Sequence, residues 1–281
     1  MRGAGVSARP LFEVAPGVHV AVSRIWESHT VVVAGGDGAA LVVDPGITSA
    51  ELGGLAAAVA ARRWRVTAGA ATHPHWDHVL WHEGLGDAPR FASARAVAVI
   101  GADAERSWAE AAQAAPGLDR ETFAALTPLH DDVAEVPPPA PPGVTVVRHD
   151  AHAPGHVALL TRGTLIAGDM LSQREVPLLD VGHEGERREP PPDPVGDYRL
   201  ALDLLEREAR RHGAEVIVPG HGPVTRGGAA IAALFARDRA YLDALEREAA
   251  GGPAVSDPRL DDEWVAAQHA AHVVRLRALA T

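Results

Sequence analysis

Apolar and polar positions change period several times along the chain, and each change predicts an element. Val18–Val22 and Thr30–Val33 are short β-branched runs that read as strands. Gly35-Gly36-Asp37-Gly38 is a turn leading into a third strand, Ala39–Val43, which ends at Asp44-Pro45-Gly46. Apolar residues then recur at helical spacing over Ser49–Arg63. Val66–Ala71 is a strand running into His73. Ala94–Ala115 predicts a long helix with Ser93 as its N-cap, weakened by Gly101 and stopped at Pro116-Gly117.

After Pro137–Pro142, with five prolines in six residues, the pattern begins again. Strands are expected at Val144–Arg148, Val157–Thr161 and Thr164–Ala167, the last two joined by a turn at Arg162-Gly163 and followed by Gly168-Asp169. Each half thus holds a hairpin whose second strand ends in an aspartate, Asp44 or Asp169, which suggests an internal duplication. Residues 172–197 are polar, proline-rich and too long for an ordinary connection, so they read as a lid, a substrate wall or a surface loop. A helix at Tyr198–His212, a strand at Val216–Val218 and helices at Ala229–Ala249 and Pro258–Ala280 complete the chain. Alternating strands and helices predict an α/β fold with two face-to-face sheets and helices outside. No shift in composition divides residues 1–281, so one domain is expected, with C-terminal helices from about residue 229.

Composition narrows the chemistry. With 47% apolar residues the chain can bury a large core. It contains no cysteine, lysine or asparagine, which excludes disulfides, thiolate ligands, a cysteine nucleophile, a Schiff-base lysine and N-glycosylation. The net charge is −11, and the arginines are scattered through acidic helices, so no basic track for nucleic acid is expected. There is no apolar run of membrane-spanning length and no apolar segment behind Arg2, so a soluble cytoplasmic protein acting on a small molecule is expected, away from membranes.

The candidate chemistry is concentrated in Thr72-His73-Pro74-His75-Trp76-Asp77-His78, directly after a strand. In extended backbone, residues two apart face the same way, so His73 and His75 can bind one ion, while Asp77 and His78 can turn to a second. Imidazole with carboxylate suits zinc, and also iron or manganese. His156, after the turn Ala153-Pro154-Gly155, Asp169 and His221 in Pro219-Gly220-His221-Gly222 all sit at strand ends or adjoining loops. His152 competes with His156, and the Pro-Gly turn favours His156. His82 supports a ligand from behind, faces substrate or is solvated. Trp76 and Trp81 either wall a pocket or pack in the core.

The ordered set Asp44, His73-x-His75-x-Asp77-His78, His156, Asp169 and His221 resembles the five motifs of the metallo-β-lactamase superfamily. The resemblance implies a four-layer αβ/βα sandwich and two divalent metal ions, zinc first. One would take His73, His75 and His156, the other Asp77, His78 and His221, with Asp169 bridging and Asp44 orienting ligands. Two such cations hold a hydroxide at neutral pH, and Asp77 is the expected proton shuttle. Members that cleave β-lactams generally lack the bridging aspartate, and many use cysteine. This chain is therefore more similar to the hydroxyacylglutathione hydrolases and lactonases, which implies hydrolysis of a thioester, lactone or related small acyl substrate. A phosphodiesterase on the same scaffold is the alternative. A two-iron redox role is disfavoured because no flavin domain is present and the second histidine of the motif is retained. A relict site is disfavoured because every ligand type is present.

Overall fold

The computed structural model describes residues 8–182 and 188–280. His183, within the long polar segment, lies outside the described residues. Seven strands form the first sheet in chain order: β1 (Phe12–Ala15), β2 (Val18–Val22), β3 (His29–Ala34), β4 (Ala39–Val43), β5 (Arg65–Ala70), β6 (Arg90–Ser93) and β7 (Thr127–Leu129). The second sheet has the order β12-β11-β10-β9-β8, formed by β8 (Thr145–His149), β9 (His156–Thr161), β10 (Thr164–Gly168), β11 (Val216–Pro219) and β12 (Thr225–Arg226).

Strand alternation sets the layers. On β3 and β4, Val31, Val33, Leu41 and Val43 point into a core shared with Val157, Leu159, Ile166, Val216 and Val218 of the second sheet. The intervening Val32, Ala40 and Val42 point outward onto Leu55, Ala58 and Val59 of helix α1 (Ser49–Ala61). On the second sheet, Ala158, Leu160, Leu165 and Ile217 pack outward against helices α4 (Pro194–Arg211) and α5 (Gly228–Ala249) through residues such as Leu202 and Phe235. Strands apolar on both faces must be covered on both sides, and the result is helix, sheet, sheet, helix, as expected. α1 starts with a capping box between Thr48 and Glu51.

The duplication is visible in the pairing. Strands β2 to β5 run antiparallel, antiparallel, parallel, and β8 to β11 repeat that order. The helix expected over Ala94–Ala115 is two: α2 (Ala94–Ala102) and α3 (Ala104–Ala114), separated at Asp103, whose backbone leaves the helical region. Ser93 does cap α2 by accepting from the Ala96 amide. The last predicted helix divides into a short turn at Pro258–Asp261 and helix α6 (Glu263–Leu279), because Asp262 caps a new start at the Trp264 amide. No helix of the described residues is long and apolar enough to cross a membrane.

Candidate metal centre

The ends of β4, β5, β10 and β11 and the loop between β8 and β9 converge at one edge of the two sheets. There two clusters of donor atoms form, one from His73, His75, His152 and Asp169, the other from Asp77, His78 and His221; either could hold a metal ion. In the first, His75 Nδ1 lies 3.0 Å from His73 Nε2 and 3.2 Å from His152 Nε2. In the second, His78 Nε2 is 3.4 Å from Asp77 Oδ2. Asp169 joins them: its Oδ2 is 3.6 Å from His73 Nε2, 3.5 Å from His152 Nε2 and 3.2 Å from His221 Nε2, and its Oδ1 is 3.4 Å from His78 Nε2.

Outer hydrogen bonds decide which ring nitrogens face inward. The Thr72 hydroxyl donates to Asp44 Oδ2 at 2.8 Å, so its oxygen is left to accept from His73 Nδ1 at 3.0 Å. The Ser28 hydroxyl donates to the Ile25 carbonyl and likewise accepts from His221 Nδ1 at 3.1 Å. His152 Nδ1 donates to the Leu178 carbonyl at 2.9 Å, and His78 Nδ1 to Asp44 at 3.0 Å. In each case Nε2 is the inward nitrogen, fixed by its partner behind it. Asp44 performs this duty from a left-handed backbone with φ 48°, a strained conformation held where β4 ends.

These contacts test whether a cation fits. His73 and His152 have committed their ring protons outward, so three nitrogens crowd together with at most one proton, on His75, to share. His78 Nε2 and Asp169 Oδ1 are buried without a hydrogen-bond partner among the described residues. The His73, His75 and His152 nitrogens therefore present lone pairs with too few protons between them, and a metal ion supplies the acceptor of those lone pairs. The charges agree. Burial, then the neighbouring His78, holds His73 neutral far below its ordinary range, and burial with His152 lowers His75 to about 3. Burial opposes charge on His78 and His221, yet Asp169 and the other nearby carboxylates raise His78 well above its usual value and His221 to about 9. A field that attracts protons so strongly attracts a divalent cation as well.

One expected ligand stands elsewhere. His156 opens β9, where it pairs with His149 across the ladder, and this directs its ring beneath the cluster. It stacks on His149 (centroids 4.4 Å apart) and on His73 (4.9 Å), and neither nitrogen has a hydrogen-bond partner among the described residues. His152 takes the place assigned to His156, because the compact 150–155 loop, tied by Asp150 Oδ1 to the Gly155 amide at 2.6 Å, carries it over the site. Gly168 allows the stack: it has φ 56°, and a Cβ there would lie 2.5 Å from the His156 ring. His82 caps a single helical turn by accepting from the Gly84 amide, outside both clusters. Trp81 is core, packed against α1, whereas Trp76 lines a cavity of about 620 Å³ over the site with Trp26, Asp77, Asp169, His221 and Trp264.

That cavity also contains Glu175, which sequence reasoning passed over. It is 3% exposed, and burial raises its carboxyl to about 7. It stands six residues after Asp169 with no motif to mark it. Part of the 172–197 segment forms a wall of this cavity, where Glu175, Leu178, Leu179 and Asp180 line it.

Two stacked sheets between helices, with histidines and aspartates gathered at the strand ends, define an α/β sandwich of metal-binding type. The chain belongs to the metallo-β-lactamase superfamily, whose sequence profile matches residues 24–221. The fold is similar to a beta-lactamase domain protein from Burkholderia ambifaria (TM-score 0.62, 22% identity, covering 100% of this chain and 91% of that one). It is also similar to a metallo-beta-lactamase family protein from Thermus thermophilus (TM-score 0.63, 25% identity, 95% of each chain). The DIM-1 metallo-beta-lactamase shares the fold at 15% identity (TM-score 0.59, 83% of this chain and 98% of that one). Comparison with curated proteins gives no match. The superfamily consists largely of metal-dependent hydrolases, and this chain carries the residues to be one.

Proposed function

We propose that this chain is a hydrolase with two metal positions, zinc first, that cleaves an ester-like bond in a thioester, lactone or related small acyl substrate. His73, His75 and His152 would hold one ion, Asp77, His78 and His221 the other, and Asp169 would bridge them. The observation that carries this reading is Asp169, which presents Oδ2 to one cluster and to His221 while Oδ1 faces His78. When bound, the ions supply an activated water near neutral pH and positive charge for the developing oxyanion. The chain's own part is positional. Asp44, Thr72, Ser28 and the Leu178 carbonyl lock the imidazoles in register. Asp77 lines the cavity and keeps its carboxyl ionised despite burial, chiefly through His78, so it can take the proton released as water adds to the acyl carbon.

Metal analysis and rates test this together. The purified protein should contain close to two ions per chain. Asp169→Ala should empty both positions, His152→Ala mainly one, and His156→Ala should retain more metal than His152→Ala. The reverse order for the two histidines overturns the ligand assignment, and full activity after chelation overturns the hydrolase reading. A phosphodiester cleaved more than about a hundredfold faster than esters, thioesters and lactones, roughly 2.7 kcal/mol of transition-state preference, would replace the acyl reading with a phosphodiesterase.

A further inference from the structure

The cavity walls differ in chemistry. On one side three indoles stand together: Trp26 lies 6.2 Å from Trp76 edge-on and 6.3 Å from Trp264 nearly parallel, with its ring 6.3 Å from His221. Trp26 is 36% and Trp264 42% exposed, and large aromatic rings left to solvent side by side mark a binding surface. The backbone supports this placement, since Trp26 and Glu27 have φ 55° and 53°, uncommon for such residues, in a loop pinned to the His221 loop by the Gly222 amide donating to the Glu27 carbonyl. The facing wall is aliphatic, formed by Ala98, Val99 and Ala102 of α2 with Pro154, Leu178 and Leu179.

The cavity also holds three arginines, and each is neutralised. Arg95 pairs with Asp150 at 2.7 Å, Arg106 with Asp103 and with Glu110 at 2.9 Å, and Arg188 with Asp180 at 2.5 Å. A substrate carboxylate or phosphate meets guanidinium groups whose charge is already balanced by a carboxylate, whereas an uncharged chain finds apolar surface on two sides. About 620 Å³ lies within the range that encloses a drug-sized ligand, far more than an acetyl group fills.

We propose that the cavity selects an uncharged substrate with a large apolar acyl group, seated between the indoles and the Leu178–Leu179 wall, and that Trp26 and Trp264 set this preference. The chemical step rests on the hydrolase reading: water adds to the acyl carbon, the bond to the alcohol or thiol breaks, and the leaving group takes up a proton as the carboxylate forms. The binding preference stands without it. Trp264 belongs to α6, beyond the 24–221 span shared with the family, and α6 is fastened over the site by Asp262 to Arg174 at 2.9 Å. One of the two selecting indoles therefore comes from within the family span, Trp26, and the other, Trp264, from a helix beyond it.

The experiment compares p-nitrophenyl octanoate, acetate and hydrogen succinate on the metal-loaded protein, and N-methyloctanamide with N-methylacetamide by calorimetric titration. Octanoate should exceed acetate by about tenfold or more in kcat/KM, the succinate ester should gain nothing over acetate, and the octanamide should bind more tightly than the acetamide. Trp264→Ala and Trp26→Ala should each lower octanamide affinity and the ratio of octanoate to acetate turnover about fivefold or more; Trp264→Phe should recover most of the loss. A preference for succinate, equal binding of the two amides, or variants that reduce acetate equally overturns the proposal. Octanamide binding with no ester cleaved would leave the pocket standing and remove the hydrolase reading instead.

Discussion

At the scale of single residues, the site depends on close approaches that a methyl group would block. A Cβ at Gly220 would lie 1.9 Å from Asp169 Oδ1, the oxygen that faces His78. Gly220→Ala must therefore push the shared carboxylate aside while the buried strands beneath stay packed. The variant is expected to bind substoichiometric metal and to lose tenfold or more of its activity with a nearly unchanged circular dichroism spectrum. Retention of both ions would show that the carboxylate tolerates displacement. The donors themselves were largely legible in the sequence because His73, His75, Asp77 and His78 share one short segment after a strand. The choice between His152 and His156 was not. It depends on which of two histidines four residues apart lies in the ladder, and His156 is fixed there by its pairing with His149.

At the scale of elements, alternation along the strands made the layers readable. Leu159 of β9 is 1% exposed and faces the core between the sheets, whereas Leu160 faces the helices. Truncating Leu159 to alanine should cost about 2–5 kcal/mol, the range for a buried leucine whose cavity is not refilled, and should appear as a lower urea midpoint at constant slope. A loss below about 1 kcal/mol would mean that the two sheets can close the gap. The elements missed from sequence are short or irregular: β1 is an edge strand of four residues with a register shift, β6 has four residues, and β7 has three and contains Pro128. They carry too little periodicity to be recognised alone: β1 is held by its pairing with β2, and β6 and β7 are positioned by β5 and α2. Asp103 broke the predicted long helix for a tertiary reason too, since α3 packs on the turn that holds Trp76 and His78.

At the scale of the whole molecule, several histidines are buried in neutral form away from the metal cluster. His272 is the clearest: burial lowers it to about 3, and its Nε2 accepts from the Leu179 amide at 3.2 Å. A histidine with a native pKa below 6.5 binds fewer protons folded than unfolded, so its neutral burial costs nothing above pH 6.5 and progressively destabilises the fold as pH falls from there towards 3. Near pH 5 the penalty is about 2 kcal/mol. His272→Gln keeps a hydrogen-bond acceptor that does not titrate. In chelated protein it should lose about 2 kcal/mol less stability than the parent between about pH 7.5 and 5, and parallel losses in the two proteins would refute this assignment.

The repeated strand order bears on assembly as well. His73, His75, Asp77 and His78 follow β5 in the first half of the chain, and His152, Asp169 and His221 come from the second, so neither cluster is complete within one half. A chain with only one half formed, or with its sheets packed in the wrong register, presents too few donors to retain an ion against water. On the two-metal reading, metal uptake would act as a proofreading step on folding: only molecules whose two sheets have met correctly would become loaded, and loading would then make the seam between them harder to open.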